Sequence, residues 1–166
     1  WNDAGSDENF YDSAGVGESV LTAWAGMGRR NECPKGMRLT AWNGGMSVIN
    51  PDERIDPRNQ RAPRNKDHYA NLKAQAWFSL RARFENAYKK KMGREYDATH
   101  IISLPVDLPY LEQLQDELCQ PHKKESGTGK VLVDKQPDGA QSPNLADAVV
   151  MAFFPLSAKA SILDVL

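Results

Sequence analysis

The stretch Ser142–Phe154, SPNLADAVVMAFF, places one carboxylate in an otherwise apolar segment. Pro143 is typical of a first helical turn, and Ser142 before it is predicted to be the N-cap. From Leu145 to Phe154 every residue except Asp147 is apolar, which predicts a buried helix. Because an unpaired buried charge is costly, Asp147 needs a cation, a metal ion or several hydrogen-bond donors. Two interpretations stay open: a metal-binding carboxylate on a core helix, or an aspartate satisfied by backbone N–H groups at the helix N-terminus.

Length and composition favour a soluble globular protein. A chain of 166 residues can form one domain with a sizeable core, and 40% hydrophobic with 26% charged residues is ordinary for that class. No apolar run approaches the ~20 residues that cross a bilayer, so no membrane association is expected. Cys33 and Cys119 fit neither metal-ligand spacing nor a disulfide framework, which favours reduced thiols in a cytosolic compartment.

The net charge of −1 hides a basic region. Residues 52–94 carry twelve Lys or Arg against five Asp or Glu. This excess is consistent with a polyanion lying across one surface, although a solvated helix and loop would have the same composition. The basic residues predicted to contact phosphates are Arg61, Arg64, Lys66 and Lys73.

The first part of the chain predicts a parallel crossover unit. A short strand at Asn9–Asp12 is followed by a glycine-containing turn, an amphipathic helix and a second strand at Met37–Trp42. Asp12 therefore ends a strand immediately before a turn, where ligands bind in open α/β sheets. The turn lacks the P-loop lysine, which argues against a mononucleotide phosphate site.

The rest of the chain predicts a long loop and four further elements. The loop, Asn43 to Asn65, contains three prolines, and a loop of this length is typically functional or partly mobile. The first is a long helix from about Asn65 to about Met92, and the second is a short strand at Ile101–Leu104. A further helix begins at Asp107 or Pro109 and stops before Pro121. The last element is a strand at Lys130–Lys135, which is predicted to pair with residues 122–125 across the turn Ser126-Gly127-Thr128-Gly129.

Asp12 and Asp147 form the candidate catalytic and metal-binding pair. Hard cations such as Mg²⁺ or Mn²⁺ prefer oxygen ligands, and two ions ~4 Å apart can activate water and stabilise the leaving oxygen in phosphodiester cleavage. Two carboxylates rarely hold two ions, so a third acid is expected; Asp134 is a lesser candidate and is better explained as an exposed strand residue. The histidine spacing argues against zinc, and no nucleophile elbow is present.

Four segments, in the same order, resemble the C-terminal nuclease domain of tailed-phage terminase large subunits. They are FYDSAGVGESV (10–20), NKDHYANLKAQAWFSLRARFENAY (65–88), ISLPVDLPYLEQLQDEL (102–118) and GKVLVDKQPDGAQSPNLADAVVMAFF (129–154). The resemblance implies an α/β, ribonuclease-H-like (resolvase-like) fold with a mixed sheet flanked by helices. It also implies a divalent-metal endonuclease that cuts concatemeric double-stranded DNA during genome packaging.

The resemblance places Asp12 at the family's second acidic position and Asp147 at its last. The family's first acid lies on an opening strand, so residues 1–154 are expected to be a nuclease domain lacking its first strands, and 155–166 a C-terminal tail. Implied partners are double-stranded DNA, an upstream ATPase domain of the same protein, a portal ring and a small terminase subunit. The implied location is the cytoplasm of the bacterial host.

Two other functions remain as alternatives. The first is a non-cleaving DNA- or portal-binding module of a degenerate prophage terminase, which nicking of supercoiled plasmid with Mn²⁺ would distinguish from a nuclease. The second is a related resolvase-like enzyme acting on branched DNA, which would be a symmetric dimer with a preference for four-way junctions.

Overall fold

The computed structural model describes residues 8–14, 17–33, 38–154 and 156. The chain divides into two compact units, Trp1–Gly44 together with Pro155–Leu166, and Gly45–Phe154. Both units combine helices with small sheets, so the fold class is α/β. Over the described ranges, no helix is long and apolar enough to cross a membrane.

The first unit contains the predicted parallel crossover. Strands β1 (Glu8–Asp12) and β2 (Arg38–Trp42) pair in parallel, and helix α1 (Gly17–Arg29) lies between them in the chain. Asp12 is opposite Trp42 in the register, and the Ser13 N–H donates to the Trp42 carbonyl at 3.0 Å. The sequence prediction of strand, helix and parallel strand is therefore confirmed.

The second unit contains four helices and an antiparallel hairpin. Its elements are α2 (Asn65–His68), α3 (Leu72–Lys91), α4 (Leu111–Cys119), β3 (His122–Glu125), β4 (Val131–Asp134), a 3₁₀ turn at Pro137–Gly139 and α5 (Asn144–Phe153). Strand β4 alternates inward and outward, with Val131 and Val133 buried against α3. The predicted pairing across the Ser126–Gly129 turn is confirmed, with His122 opposite Asp134.

The single long helix predicted from Asn65 is wrong, because the chain leaves the helix between α2 and α3. The Ala70 N–H donates to the Val131 carbonyl at 2.9 Å, and Tyr69 forms a parallel bridge with the same residue. Asn71 then has an extended backbone, and its side chain accepts from the Ala74 N–H at 2.9 Å as the N-cap of α3. Pairing with β4 thus interrupts a helical pattern that continues on both sides.

The predicted strand at Ile101–Leu104 is also wrong. In this part of the described chain the backbone is held by a side chain, because Arg83 Nη1 donates to the Ile101 carbonyl at 3.2 Å. Helix α4 begins later than predicted, at Leu111, after Tyr110 in a left-handed conformation with φ 61°.

The loop after residue 43 is fixed to α3 by a buried amide. Gln75, 7% exposed, accepts from the Ile49 N–H at 2.9 Å and donates to the Ile49 carbonyl at 3.0 Å. Asn65, 8% exposed, donates to the Asn50 carbonyl at 3.0 Å. These bonds position the loop that carries two of the predicted phosphate contacts, Arg61 and Arg64.

We expect Gln75→Ala to lower the free energy of unfolding by about 2–3 kcal/mol, because the Ile49 N–H loses its acceptor and the Ile49 carbonyl loses the nearer of its two side-chain donors. Urea denaturation measures this cost. The matched control is Gln115→Ala, at an exposed position of α4, which should change stability by about 0.5 kcal/mol or less. Equal effects of the two substitutions would contradict the role given to Gln75.

Candidate metal centre

Asp147 lies in the first turn of α5, where its N–H donates to the Pro143 carbonyl at 2.8 Å. Its carboxylate forms an ion pair with the ammonium group of Lys135, the residue that follows β4. The Asp147 and Lys135 side chains are 20% and 19% exposed. A carboxylate in this apolar helix needs a partner, and for Asp147 that partner is the cation Lys135.

The N-terminus of α5 differs from the sequence prediction. The helix begins at Asn144 with Pro143 as the N-cap residue, so the expected Ser142 cap is wrong. Proline has no side-chain hydrogen-bonding group, and the cap comes from another helix. Burial is one-sided as well, since Ala146 and Val150 are buried while Ala148 is exposed.

Glu117 of α4 caps α5. One of its carboxylate oxygens, Oε2, accepts from the N–H groups of Leu145 at 2.6 Å and Ala146 at 3.0 Å, while Gln113 donates to Oε1 at 2.9 Å. A negative charge at this position satisfies two backbone donors and is favoured by the helix dipole. The carboxylate of Glu117 thereby fixes the helical turn that carries Asp147.

Gln120, just beyond α4, fixes the connection between β4 and α5. Its Nε2 donates to the Lys135 carbonyl at 2.5 Å and to the Gln141 carbonyl at 2.8 Å. The end of α4 therefore holds both ends of the segment that joins Lys135 to α5.

We expect Glu117→Ala to lower the free energy of unfolding by about 1–3 kcal/mol, since two N–H groups of α5 lose their acceptor. The matched control is Asp116→Ala, which removes an exposed acid from the same helix and should have little effect. Chemical denaturation of both variants measures the difference. If the free energy of unfolding falls only in Asp116→Ala, or in neither variant, Glu117 does not cap α5.

Asp12 ends β1, as predicted, in the first unit. Its side chain is exposed, and Oδ1 accepts from the Ala14 N–H at 2.9 Å in an Asx turn. This hydrogen bond orients the carboxylate at the carboxyl end of a parallel strand. Asp147 belongs to the second unit.

The donor chemistry of these two residues fits a hard divalent cation. Mg²⁺ is commonly bound through one or two carboxylates, with waters completing its coordination shell. In residues 8–14, 17–33, 38–154 and 156, however, no three His, Cys, Asp or Glu side chains lie close enough to hold one ion. The third acid expected from sequence is thus not found in the described residues.

Asp134 has a different environment from Asp147. It pairs with Lys124 at 2.5 Å across the hairpin and accepts from the Gln136 N–H at 3.0 Å. The hydrogen bond from Lys124, followed by the one from Gln136, holds the pKa of Asp134 below its ordinary value. Its contacts are those of a strand residue paired with a lysine of the neighbouring strand, and its side chain is 24% exposed where the sequence favoured an exposed one.

The four predicted phosphate-contacting residues differ in their surroundings. Arg64 and Lys66 both pair with Oδ1 of Asp52, at 2.9 and 2.7 Å, and these hydrogen bonds, first from Lys66, lower the Asp52 pKa. Arg61 is exposed, and Lys73 is half-buried in the first turn of α3. The structure thus brings Arg64 and Lys66 together on one carboxylate that reduces their combined charge.

Sequence reasoning missed Lys135, Glu117 and Gln120. Lys135 had a usable signal, because it directly follows a strand and precedes the apolar helix that required a cation. Glu117 and Gln120 had none, since their partners are many residues away in the chain.

Structural comparison shows which solved domains this chain is similar to. No family model matches the chain, and no curated protein matches its sequence. Among solved structures, the nuclease domain of the large terminase subunit of bacterial virus Sf6 matches with a TM-score of 0.73 and 28% identity over 94% of this chain and 68% of that one. The structural neighbours are terminase nuclease domains. The resemblance found from the sequence motifs is confirmed.

Two further terminase nuclease structures are lysine-to-alanine variants of the Sf6 domain. One contains manganese and β-thujaplicinol and has a TM-score of 0.73, with 27% identity over 94% of this chain and 68% of the other. The second contains calcium and has a TM-score of 0.72, with 28% identity over 92% and 66% of the two chains.

Proposed function

We propose that this chain is a metal-dependent endonuclease module of a viral DNA-packaging terminase, which cuts concatemeric double-stranded DNA. The observation that carries the proposal is the similarity to the Sf6 terminase nuclease domain over 94% of the chain. The Sf6 structures determined with manganese and with calcium support the choice of a divalent cation. We also propose that the domain has a ribonuclease-H-like fold and that the protein acts in the cytoplasm of the bacterial host.

In this proposal Asp12 and Asp147 supply carboxylate oxygens to Mg²⁺ or Mn²⁺. When bound, two such ions activate water and stabilise the leaving oxygen of the phosphodiester. Asp12 is exposed at a strand end, and Asp147 is fixed in a helical turn capped by Glu117. A phosphate group of DNA would add further oxygen ligands beside the expected third acid.

Lys135 neutralises Asp147 in the absence of a metal ion. Its ammonium occupies a carboxylate oxygen, Oδ2, that is also available to a cation. Lysine and metal would therefore compete for Asp147, and we expect the Lys135 side chain to turn away on metal binding. A lysine beside the cleaved phosphate would also favour the anionic substrate.

We expect Asp147→Asn and Asp12→Asn each to lower Mn²⁺-dependent nicking of supercoiled plasmid by roughly 100-fold or more, because each removes a metal ligand. Agarose gels of nicked and linear products measure the rate. Asp134→Asn, which removes an acid paired with Lys124, is the control and should cut like the parent.

The same variants separate catalysis from folding. Asp147→Asn leaves Lys135 without its carboxylate, and combining it with Lys135→Met removes both members of the pair. We expect the double variant to recover stability and to remain inactive. Cutting by Asp147→Asn at the parent rate would exclude Asp147 as a ligand and leave its pairing with Lys135 as its role.

We expect Lys135→Met to bind Mn²⁺ about 10-fold more tightly than the parent chain, since a competing positive charge is removed. Isothermal titration calorimetry measures the dissociation constant. Lys130→Met, which removes the lysine at the other end of β4, is the control and should bind Mn²⁺ as the parent does. Weaker binding by Lys135→Met would show that the lysine assists the metal ion instead of competing with it.

The loop at residues 43–65, which contains Arg61 and Arg64, is proposed to bind the DNA backbone. We expect Arg61→Ala to reduce the slope of log affinity against log salt concentration by about 1, as for the loss of one phosphate contact. Asp52→Asn should instead raise affinity, since Arg64 and Lys66 lose their shared carboxylate. Fluorescence anisotropy with a labelled duplex measures both. An unchanged slope for Arg61→Ala would exclude that contact.

The other proposed partners are those of a terminase assembly. We propose that residues 1–154 act as the nuclease domain beside an ATPase domain of the same protein, with a portal ring and a small terminase subunit as further partners. The support for these partners is the similarity to a terminase large subunit.

A further inference from the structure

A cavity of about 390 Å³ opens between α3, the end of α4 and the β3–β4 hairpin of the second unit. Its volume lies within the range of about 300–1,000 Å³ that is typical of ligand pockets. Most of its wall is apolar, and three aromatic rings, those of Trp77, Phe78 and Phe84, contribute to it. Neither proposed metal ligand lines it.

The mouth of this cavity is cationic. Arg81, His122 and Lys123 line it and are exposed, and none of the described residues that line it is an aspartate or glutamate. Arg81 also pairs with Glu85 at 2.9 Å on the next turn of α3. Burial, followed by the charge of Lys123, lowers the pKa of His68. The field at the mouth therefore favours an anionic ligand.

The wall contains an unused hydrogen-bond donor. Trp77 is 7% exposed, and its indole N–H is buried without a partner in the described structure. Buried donors without acceptors are rare in folded proteins. The indole N–H of Trp77 therefore serves as a spectroscopic reporter of cavity occupancy.

Strand β3 offers a backbone edge beside the cavity. In the described part of the chain it pairs on one side only, with β4, and all four of its residues are exposed. An extended segment that pairs with such an edge places alternate side chains on one face of the sheet. Since Lys123 lies opposite Val133 in the register and both line the cavity, that face is the cavity face.

We propose that the cavity and strand β3 form a docking site for an extended, acidic segment of a partner protein, which inserts one aromatic side chain between α3 and α4. The aromatic side chain packs against Trp77 and Phe84, and flanking carboxylates contact Lys123 and Arg81. The site is separate from the cleavage chemistry, so its test does not depend on nuclease activity.

The experiment uses two five-residue peptides, acetyl-EEWEE-amide and acetyl-KKWKK-amide, titrated into the ¹⁵N-labelled chain. We expect EEWEE to shift the indole N–H signal of Trp77 and the amide signals of residues 122–125, with a dissociation constant on the order of 1 mM or below. KKWKK should bind about 10-fold more weakly, because its charges oppose those of the mouth.

Two hairpin variants provide the matched control. Lys123→Glu should weaken EEWEE binding about 10-fold and strengthen KKWKK binding, whereas Lys130→Glu, outside the cavity wall, should change either by about two-fold or less. Equal binding of both peptides, or equal effects of both variants, would overturn the proposal. Binding of indole-3-propionate without EEWEE would also overturn it, since the occupant would then be a small molecule.

Discussion

The ion pair between Asp147 and Lys135 is the interaction on which the proposed chemistry depends. An apolar helix carries one carboxylate, and a lysine from the preceding strand end compensates its charge in a place where both side chains are about one-fifth exposed. The lysine therefore compensates the charge of the carboxylate that is proposed to bind a metal ion.

The carboxyl end of α4 determines the position of that pair. Glu117 caps α5 and Gln120 holds both ends of the β4–α5 connection. A metal-binding carboxylate needs an orientation fixed to within a few tenths of an ångström, and such precision comes from hydrogen bonds made by surrounding residues. The cavity beside α3 instead combines an apolar wall with a mouth lined by Arg81 and Lys123, which suits recognition of an acidic segment supplied by another protein.

Local patterns predicted the elements that form from local interactions. Alternation and the Ser126–Gly129 turn predicted the hairpin, and Asp12 was placed correctly at a strand end. Contacts between distant residues could not be read in this way. The helical periodicity around Tyr69 continues unbroken, whereas the structure pairs Tyr69 with Val131 and starts a new helix after Asn71. The cap of α5 could not be predicted from the sequence either, because Glu117 lies 28 residues before Leu145.

The measurement that tests the central proposal most directly is paramagnetic relaxation by Mn²⁺ in the ¹⁵N-labelled chain. If Asp12 and Asp147 bind the same ions, the amide signals of residues 12–14 and 145–149 broaden together at substoichiometric Mn²⁺, and Asp147→Asn abolishes the broadening of both groups. Broadening of one group alone, or of neither, would contradict a shared metal centre and with it the proposed nuclease mechanism.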